Sequence, residues 1–285
     1  MAEVQVPRKQ PTARQQRLGR ELRRLREASG MTARQAADAL GTVAVTMSQI
    51  ESGVTGVSEA RLRRMATQYA CTDTALIDAL VEIATDRTRG WWEEYREALG
   101  PTFLDLAELE HHARCLQVIA TAHVPGLLQT EDYARAVFGY WVPELPASEQ
   151  KLRVTYRMRR QQVLSRAVPY EAILHEPVLR TRVADRRVAR AQLEHLLRES
   201  ERPNVALRVI PFDVDGFGGA SSSLVYAGGR VPALDTVQRD TPYGSAFLDA
   251  AAQLHSMRTL FRKVESASLD IPQSRDFIHR MMKEL

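Results

Sequence analysis

Cysteine is nearly absent from this 285-residue chain, with two in all, Cys71 and Cys115. They stand far apart and neither has a C-x-x-C partner, so a disulfide framework and a thiolate metal site are both excluded and reduced thiols are expected. No run approaches the roughly 18 consecutive apolar residues of a membrane span. The polar N-terminus also lacks the apolar core of a signal peptide. Such a chain is expected to be soluble, cytoplasmic and without membrane contact. Catalytic signatures are missing too. The seven histidines, His111, His112, His123, His175, His195, His255 and His279, show no H-E-x-x-H or comparable metal spacing. Gly216, Gly218 and Gly219 lead into serines and a strand, whereas a dinucleotide loop opens a helix. Ser221 to Ser223 lack the G-x-S-x-G context of a nucleophile elbow. No catalytic residue, metal or cofactor is expected, and the chain is not read as an enzyme. It carries no internal repeat, heptad run or low-complexity tract.

What is present is basic charge, and it is unevenly placed. Residues 1–70 hold twelve Lys or Arg against six Asp or Glu, a surplus of +6, while the whole chain carries +4. The remainder is therefore slightly acidic. A surplus confined to one end fits neutralisation of phosphates by that end.

The same end carries MTARQAADALGTVAVTMSQIESG at residues 31–53. Met31, Ala36, Ala37 and Leu40 recur at helical spacing before Gly41, and Met47 and Ile50 recur after it. Thr32 with Gln35 forms a capping box. Gly41 supplies the left-handed conformation at the turn, and Thr42 and Val43 restart a helix of two to three turns that ends near Gly53. Two short helices at a tight turn leave the second facing outward, able to enter a major groove about 12 Å wide.

This pattern resembles the Xre and Cro/CI type helix-turn-helix regulators over roughly residues 14–70. The likeness rests on Ala37 in the first motif helix, Gly41 at the turn, the run Ile50, Glu51, Ser52, Gly53, and Arg26 in the preceding helix. It implies double-stranded DNA as partner and a partly buried ion pair between Arg26 and Glu51. It also implies that Ala44, Val45, Ser48 and Gln49 face base edges. Ala44 and Val45 can only meet a thymine methyl or fit a groove shape, which leaves Gln49 as the candidate for a bidentate adenine contact and gives weight to indirect readout. The first residue of the earlier helix is Ala33, which cannot contact a phosphate. Arg17, Arg20, Arg34, Thr42, Thr46 and Ser52 are the expected phosphate contacts.

A helix-turn-helix domain needs about 60 to 70 residues, so 285 residues predict a second domain. The reading divides the chain into a flexible basic arm at 1–13, a DNA-binding domain at 14–85, a linker at 86–90 and a regulatory or partner-binding domain at 91–285. Residues 58–85 are expected to continue helically, with Ser58 as a cap. Trp91, Trp92 and Tyr95 are read as a core or interdomain seam. Beyond them, strand character is found at 116–124, 170–176, 204–212, 222–228 and 232–238. Helices are expected at 130–140, 148–167, 176–183, 187–200, 244–264 and 272–284. The fold class predicted is an all-α helix-turn-helix domain followed by a larger mixed α/β, or α+β, domain.

The phrases VPGLLQTEDYARAV at 124–137, RMRRQ at 157–161, HEPVLR at 175–180, QLEHLL at 192–197 and NVALRVIPF at 204–212 resemble the C-terminal domain of actinobacterial regulators of the WhiJ-like type. That resemblance implies regulation and a small protein encoded by a neighbouring gene, in an arrangement like a toxin and antitoxin. It carries no reaction. In the first phrase, Pro125 and Gly126 make a turn, Leu127 and Leu128 face the core, and Thr130 caps a helix. Gln129, Tyr133, Arg157, Arg160, Gln161 and Glu176 are the polar candidates for a ligand or partner site.

Two functions follow as expectations. One is a homodimeric transcriptional regulator whose large domain answers to a small-molecule effector. The other is an antitoxin-like interaction protein that binds a small partner and autoregulates its operon.

Overall fold

The computed structural model describes residues 10–220, 222–241 and 244–285. The expected basic arm falls mostly on residues 1–9, with Arg8 and Lys9, and these lie outside the described residues, as does Ser221 of the serine run. The chain divides into two compact units, Met1–Trp91 and Trp92–Leu285.

The first unit contains α1 (Ala13–Ala28), α2 (Ala33–Ala39), α3 (Ala44–Glu51), α4 (Glu59–Gln68) and α5 (Thr74–Thr85). Side chains written in the sequence begin four of these helices. Thr12 with Gln15 and Thr32 with Gln35 form reciprocal capping boxes, while Ser58 and Asp73 accept from backbone amides of α4 and α5. Gly41 makes the turn between α2 and α3 at φ +64°. Leu22, Met47, Leu62, Met65 and Leu80 fill the centre and are fully buried. The stretch expected to run helically from 58 to 85 is broken at Tyr69–Asp73, where Ala70 adopts φ +51° and ends α4. Cys71 follows in that break, half-buried.

In the second unit, α6 (Pro101–His112) precedes β1 (Cys115–Ala120). Then come α7 (Glu131–Gly139), α8 (Ala147–Arg160), β2 (Tyr170–His175), α9 (Glu176–Arg180), α10 (Arg186–Glu199) and β3 (Val205–Ile210). The chain finishes with β4 (Leu224–Gly228), β5 (Thr236–Thr241), β6 (Gly244–Leu248), α11 (Ala251–Ser266) and α12 (Ile271–Lys283). The six strands form one sheet in the order β3-β2-β1-β4-β5-β6. β1, β2 and β3 run parallel, and β4, β5 and β6 add antiparallel on the other side of β1. The architecture is therefore α+β.

Alternation along the strands gives the sheet two apolar faces. Leu116, Val118, Ala172, Leu174, Leu207 and Val209 share one core with Tyr133, Leu193, Leu196 and Ile278 from the helices. Ile119, Ile173, Leu224, Tyr226 and Val237 face the other, where Leu254, Phe261 and Val264 of α11 cover them. Trp92 is buried edge-on to His111 and His112, and Tyr95 meets the Tyr156 ring at 5.2 Å. At the start of β1, a Cβ added to Gly228 would lie 2.4 Å from Cys115 Sγ, so a larger residue there would turn this thiol away.

Several boundaries differ from expectation. Residues 244–248, expected to open the terminal helix, form β6, because pairing with the outer edge of β5 outweighs local helix preference. The strand expected at 232–238 begins only at Thr236, after a 3-10 turn at Pro232–Leu234. The helix expected through 167 is α-helical to Arg160 and continues as a 3-10 helix to Arg166. The helix expected at 176–183 stops at Arg180. Helix α6, with Pro101 at its first turn and Leu104, Ala107 and Glu110 buried, was not anticipated.

Candidate nucleic-acid interface

Helix α3 is held on its inner side by α1 and α2, and by Tyr69 just after α4. Its Met47, Ile50 and Glu51 are buried. Arg26 on α1 reaches Glu51 through two bonds, Nε to Oε1 at 2.6 Å and Nη2 to Oε2 at 2.9 Å, and donates from Nη1 to the Met31 carbonyl at 2.7 Å. This fork satisfies both charges where water is excluded, and Glu51 holds the guanidinium above its ordinary range. Tyr69 donates to Met47 Sδ at 3.7 Å, and burial followed by the Glu51 charge pushes its hydroxyl up to about 12. The backbones of α1 and α3 approach so closely that a Cβ on Gly19 would stand 2.4 Å from the Glu51 carbonyl oxygen.

The outer side of α3 presents Ala44, Val45 and Ser48 to solvent. Gln49 is half-buried and tied back, its Oε1 accepting from Thr55 Oγ1 at 3.3 Å and its carbonyl from the Thr55 amide at 3.0 Å. A base contact by Gln49 must displace the first of these. Val43 and Val54, on either side of α3 in the sequence, are 63% and 56% exposed, and Val45 is 66% exposed. Neither flanking valine is among the base-facing residues expected from the sequence. Their signal is that neither recurs at helical spacing with the buried residues.

Among the expected phosphate contacts, Arg20, Arg34 and Ser52 are exposed, and Thr42 and Thr46 are half-buried. Arg34 makes no ion pair among the described residues. Arg17 is a correction. Its side chain is 8% exposed and paired with Glu21 at 3.2 Å, because it lies on the inner side of α1 next to Leu18, so it does not reach a phosphate. Part of the basic charge is also already paired within the unit. Arg14, Arg23, Arg24 and Arg63 are paired with Asp86, Glu27, Glu21 and both Glu59 and Asp78.

In the second unit, five of the six polar candidates meet at the turn leaving β1. Gln129 donates to the Val124 carbonyl at 2.7 Å, the Val124 amide donates to Tyr133 Oη at 3.2 Å, and Gln161 donates to the Gly126 and Gln129 carbonyls at 3.2 and 2.6 Å. Arg157 gives Nη1 to Gln129 Oε1 at 2.7 Å and lies over the Phe138 ring, 4.1 Å from its centroid. Arg160 forks onto Glu110 of α6, Nε to Oε2 at 2.8 Å and Nη2 to Oε1 at 2.5 Å. Burial and then the nearby Arg160 charge push Arg157 down to about 9, which leaves it charged at neutral pH. Burial works against the Arg160 charge as well, but Glu110 more than restores it. Glu176 stands apart from this group. It accepts from the Phe212 amide at 2.7 Å and pairs with Arg180. Glu110 and Phe138 were not foreseen as members of the cluster, Glu110 because it sits on the unanticipated α6.

Comparison with known proteins completes the picture. A family model described as helix-turn-helix domain matches residues 17–80, the stretch from within α1 to within α5. A second, described as domain of unknown function (DUF5753), matches residues 103–280, more than half of the chain. The chain belongs to the DUF5753 family. The DUF5753 region takes in the whole mixed sheet and the arginine cluster, from α6 to α12. No curated protein and no solved structure matches the chain. A helix-turn-helix is a DNA-binding element of regulatory proteins, and this DUF5753 protein carries one at its N-terminal end. No helix among the described residues is long and apolar enough to cross a membrane.

Proposed function

We propose that this protein is a cytoplasmic transcriptional regulator of the Xre, Cro/CI type. Two copies bind a pseudo-palindrome in double-stranded DNA, each placing α3 in the major groove of a half-site, and the DUF5753 domain controls the affinity. The observation that carries this reading is the outer face of α3. Val45 and Ser48 are exposed on a helix whose inner side is fixed by the Arg26–Glu51 fork. Such a rigid, solvent-facing face without internal partners is what base reading needs. Half-sites about one helical turn apart suit a symmetric pair. The protein works by binding, and no reaction is assigned to it.

The test is selection of genomic fragments by the purified protein at two salt concentrations, repeated with Gln49→Ala and Arg34→Ala. A short pseudo-palindrome that changes with Gln49→Ala supports the reading. Binding that is sequence-blind and only salt-sensitive overturns it.

A second reading, the WhiJ-like, antitoxin-like protein with a small protein partner, draws on one observation. Tyr140, Trp141 and Val142 at the end of α7 are 90%, 44% and 88% exposed, an apolar tip of the kind used in protein contacts. A small protein encoded next to this one that binds the purified chain, and fails to bind Trp141→Ala, supports it.

A further inference from the structure

We propose that the turn at Gly126, with Arg157 and Arg160 behind it, is a binding site for the carboxylate group of a small organic acid. The two arginines are one helical turn apart on α8 and present different edges to the same point. A Cβ built on Gly126 would lie 3.6 Å from Arg157 Nε and 3.7 Å from Arg160 Nη1. Neither nitrogen has a hydrogen-bond partner among the described residues, since Arg160 spends Nε and Nη2 on Glu110 and Arg157 spends Nη1 on Gln129. The Arg157 Nε is buried as well as unpartnered. A buried N–H donor on a charged group is costly unless an acceptor meets it. Gly126 places no side chain against this point, and its backbone conformation does not itself require glycine.

Charge selects the kind of anion. Of the two guanidinium groups only Arg160 has an ion-paired carboxylate, Glu110, whose side chain is 3% exposed. Among the described residues, Arg157 has no ion-paired carboxylate of its own. Asp240 acts on both arginines through space but forms no ion pair with either, and His123, Tyr133, Tyr156 and Tyr170 are the other titratable groups within their field. A monoanion brings less negative charge up to Glu110 and Asp240 than a phosphate dianion does. Two N–H groups on separate guanidinium edges also suit the two oxygens of a carboxylate. The structure of the turn supports rigidity. Gln129, Gln161 and Tyr133 bind its backbone from three sides, so the donors are held before any ligand arrives. An effector role for this acid rests on the regulator reading above, but the binding itself does not.

The experiment is a titration of the full-length, nitrogen-15 labelled protein, following the arginine Nε–H resonances. Sodium formate and sodium acetate are compared with inorganic phosphate and with sodium chloride at equal ionic strength. Saturable shifts of the Arg157 signal with formate and acetate, absent with chloride, are expected. Gly126→Ala, whose added carbon makes only ordinary contacts, keeps the backbone amide spectrum and weakens acetate binding about 10-fold or more. Arg157→Gln removes it. Linear shifts identical to those of chloride, phosphate binding tighter than acetate, or unchanged binding in a folded Gly126→Ala protein would each overturn the site. No DNA is present in this titration, so its failure and the failure of fragment selection are separate results.

Discussion

Gly19 and Arg26 fix the first unit at the scale of single atoms. A methyl group at position 19 would sit 2.4 Å from the Glu51 carbonyl oxygen and 2.8 Å from that of Ile50. Backbone atoms cannot retreat as a flexible side chain can, so α1 and α3 must part. Gly19→Ala is expected to destabilise the unit by about 1–3 kcal/mol, read as faster hydrogen exchange in α1 and α3. The ion pair makes a sharper prediction. Arg26→Met leaves the Glu51 carboxylate buried without its fork and is expected to cost about 3–5 kcal/mol. The double variant Arg26→Met with Glu51→Met is expected to recover most of that loss, and a urea-denaturation double-mutant cycle measures it. Additive losses would mean that the two charges act independently.

At the scale of elements, much of the architecture could be read from the chain because the decisive signals are local. Thr32, Gln35 and Gly41 announce the helix-turn-helix without help from distant residues. The same holds for Thr130 before α7 and for the alternation in β1 to β4. What escaped is decided elsewhere in the fold. Gly244–Leu248 becomes a strand because β5 offers an open edge, and Arg17 turns inward because Glu21 and the α1 core receive it. Within the arginine cluster, the members were legible one by one from the turn and helix that carry them. Their convergence was not, because Glu110 enters from α6. For α3, separate phosphate and base effects are predicted. Arg34→Ala is expected to weaken binding to all sequences alike and lower the salt slope by about 0.9. Val45→Ala is expected to relax preference at a single base position, by about 1–3 kcal/mol. Quantitative binding to selected and scrambled fragments at several salt concentrations distinguishes the two.

Across the whole molecule, buried histidine connects folding to proton concentration. His195 on α10 has a buried Nε2 with no hydrogen-bond partner, and burial holds its pKa below the ordinary value of 6.5. The unfolded chain therefore takes up the proton more readily than the folded one, so stability declines as pH falls below 6.5. Thermal unfolding followed between about pH 7.5 and pH 5 is expected to show a falling midpoint. His195→Phe is expected to flatten that fall, and an unchanged pH slope in the variant would assign the dependence to other groups.

The two cysteines have a practical consequence as handles for labelling. Cys71 belongs to the helix-turn-helix unit and Cys115 to the first strand of the DUF5753 sheet, so the natural chain carries one thiol in each body. Burial raises the Cys115 thiol above its ordinary range, and its sulfur is wedged beside Gly228. Maleimide dyes should therefore modify Cys71 first, and a second colour can follow at Cys115 under more forcing conditions. A donor and acceptor pair is obtained without mutagenesis, and energy transfer between them reads the separation of the two bodies while DNA or acetate is added.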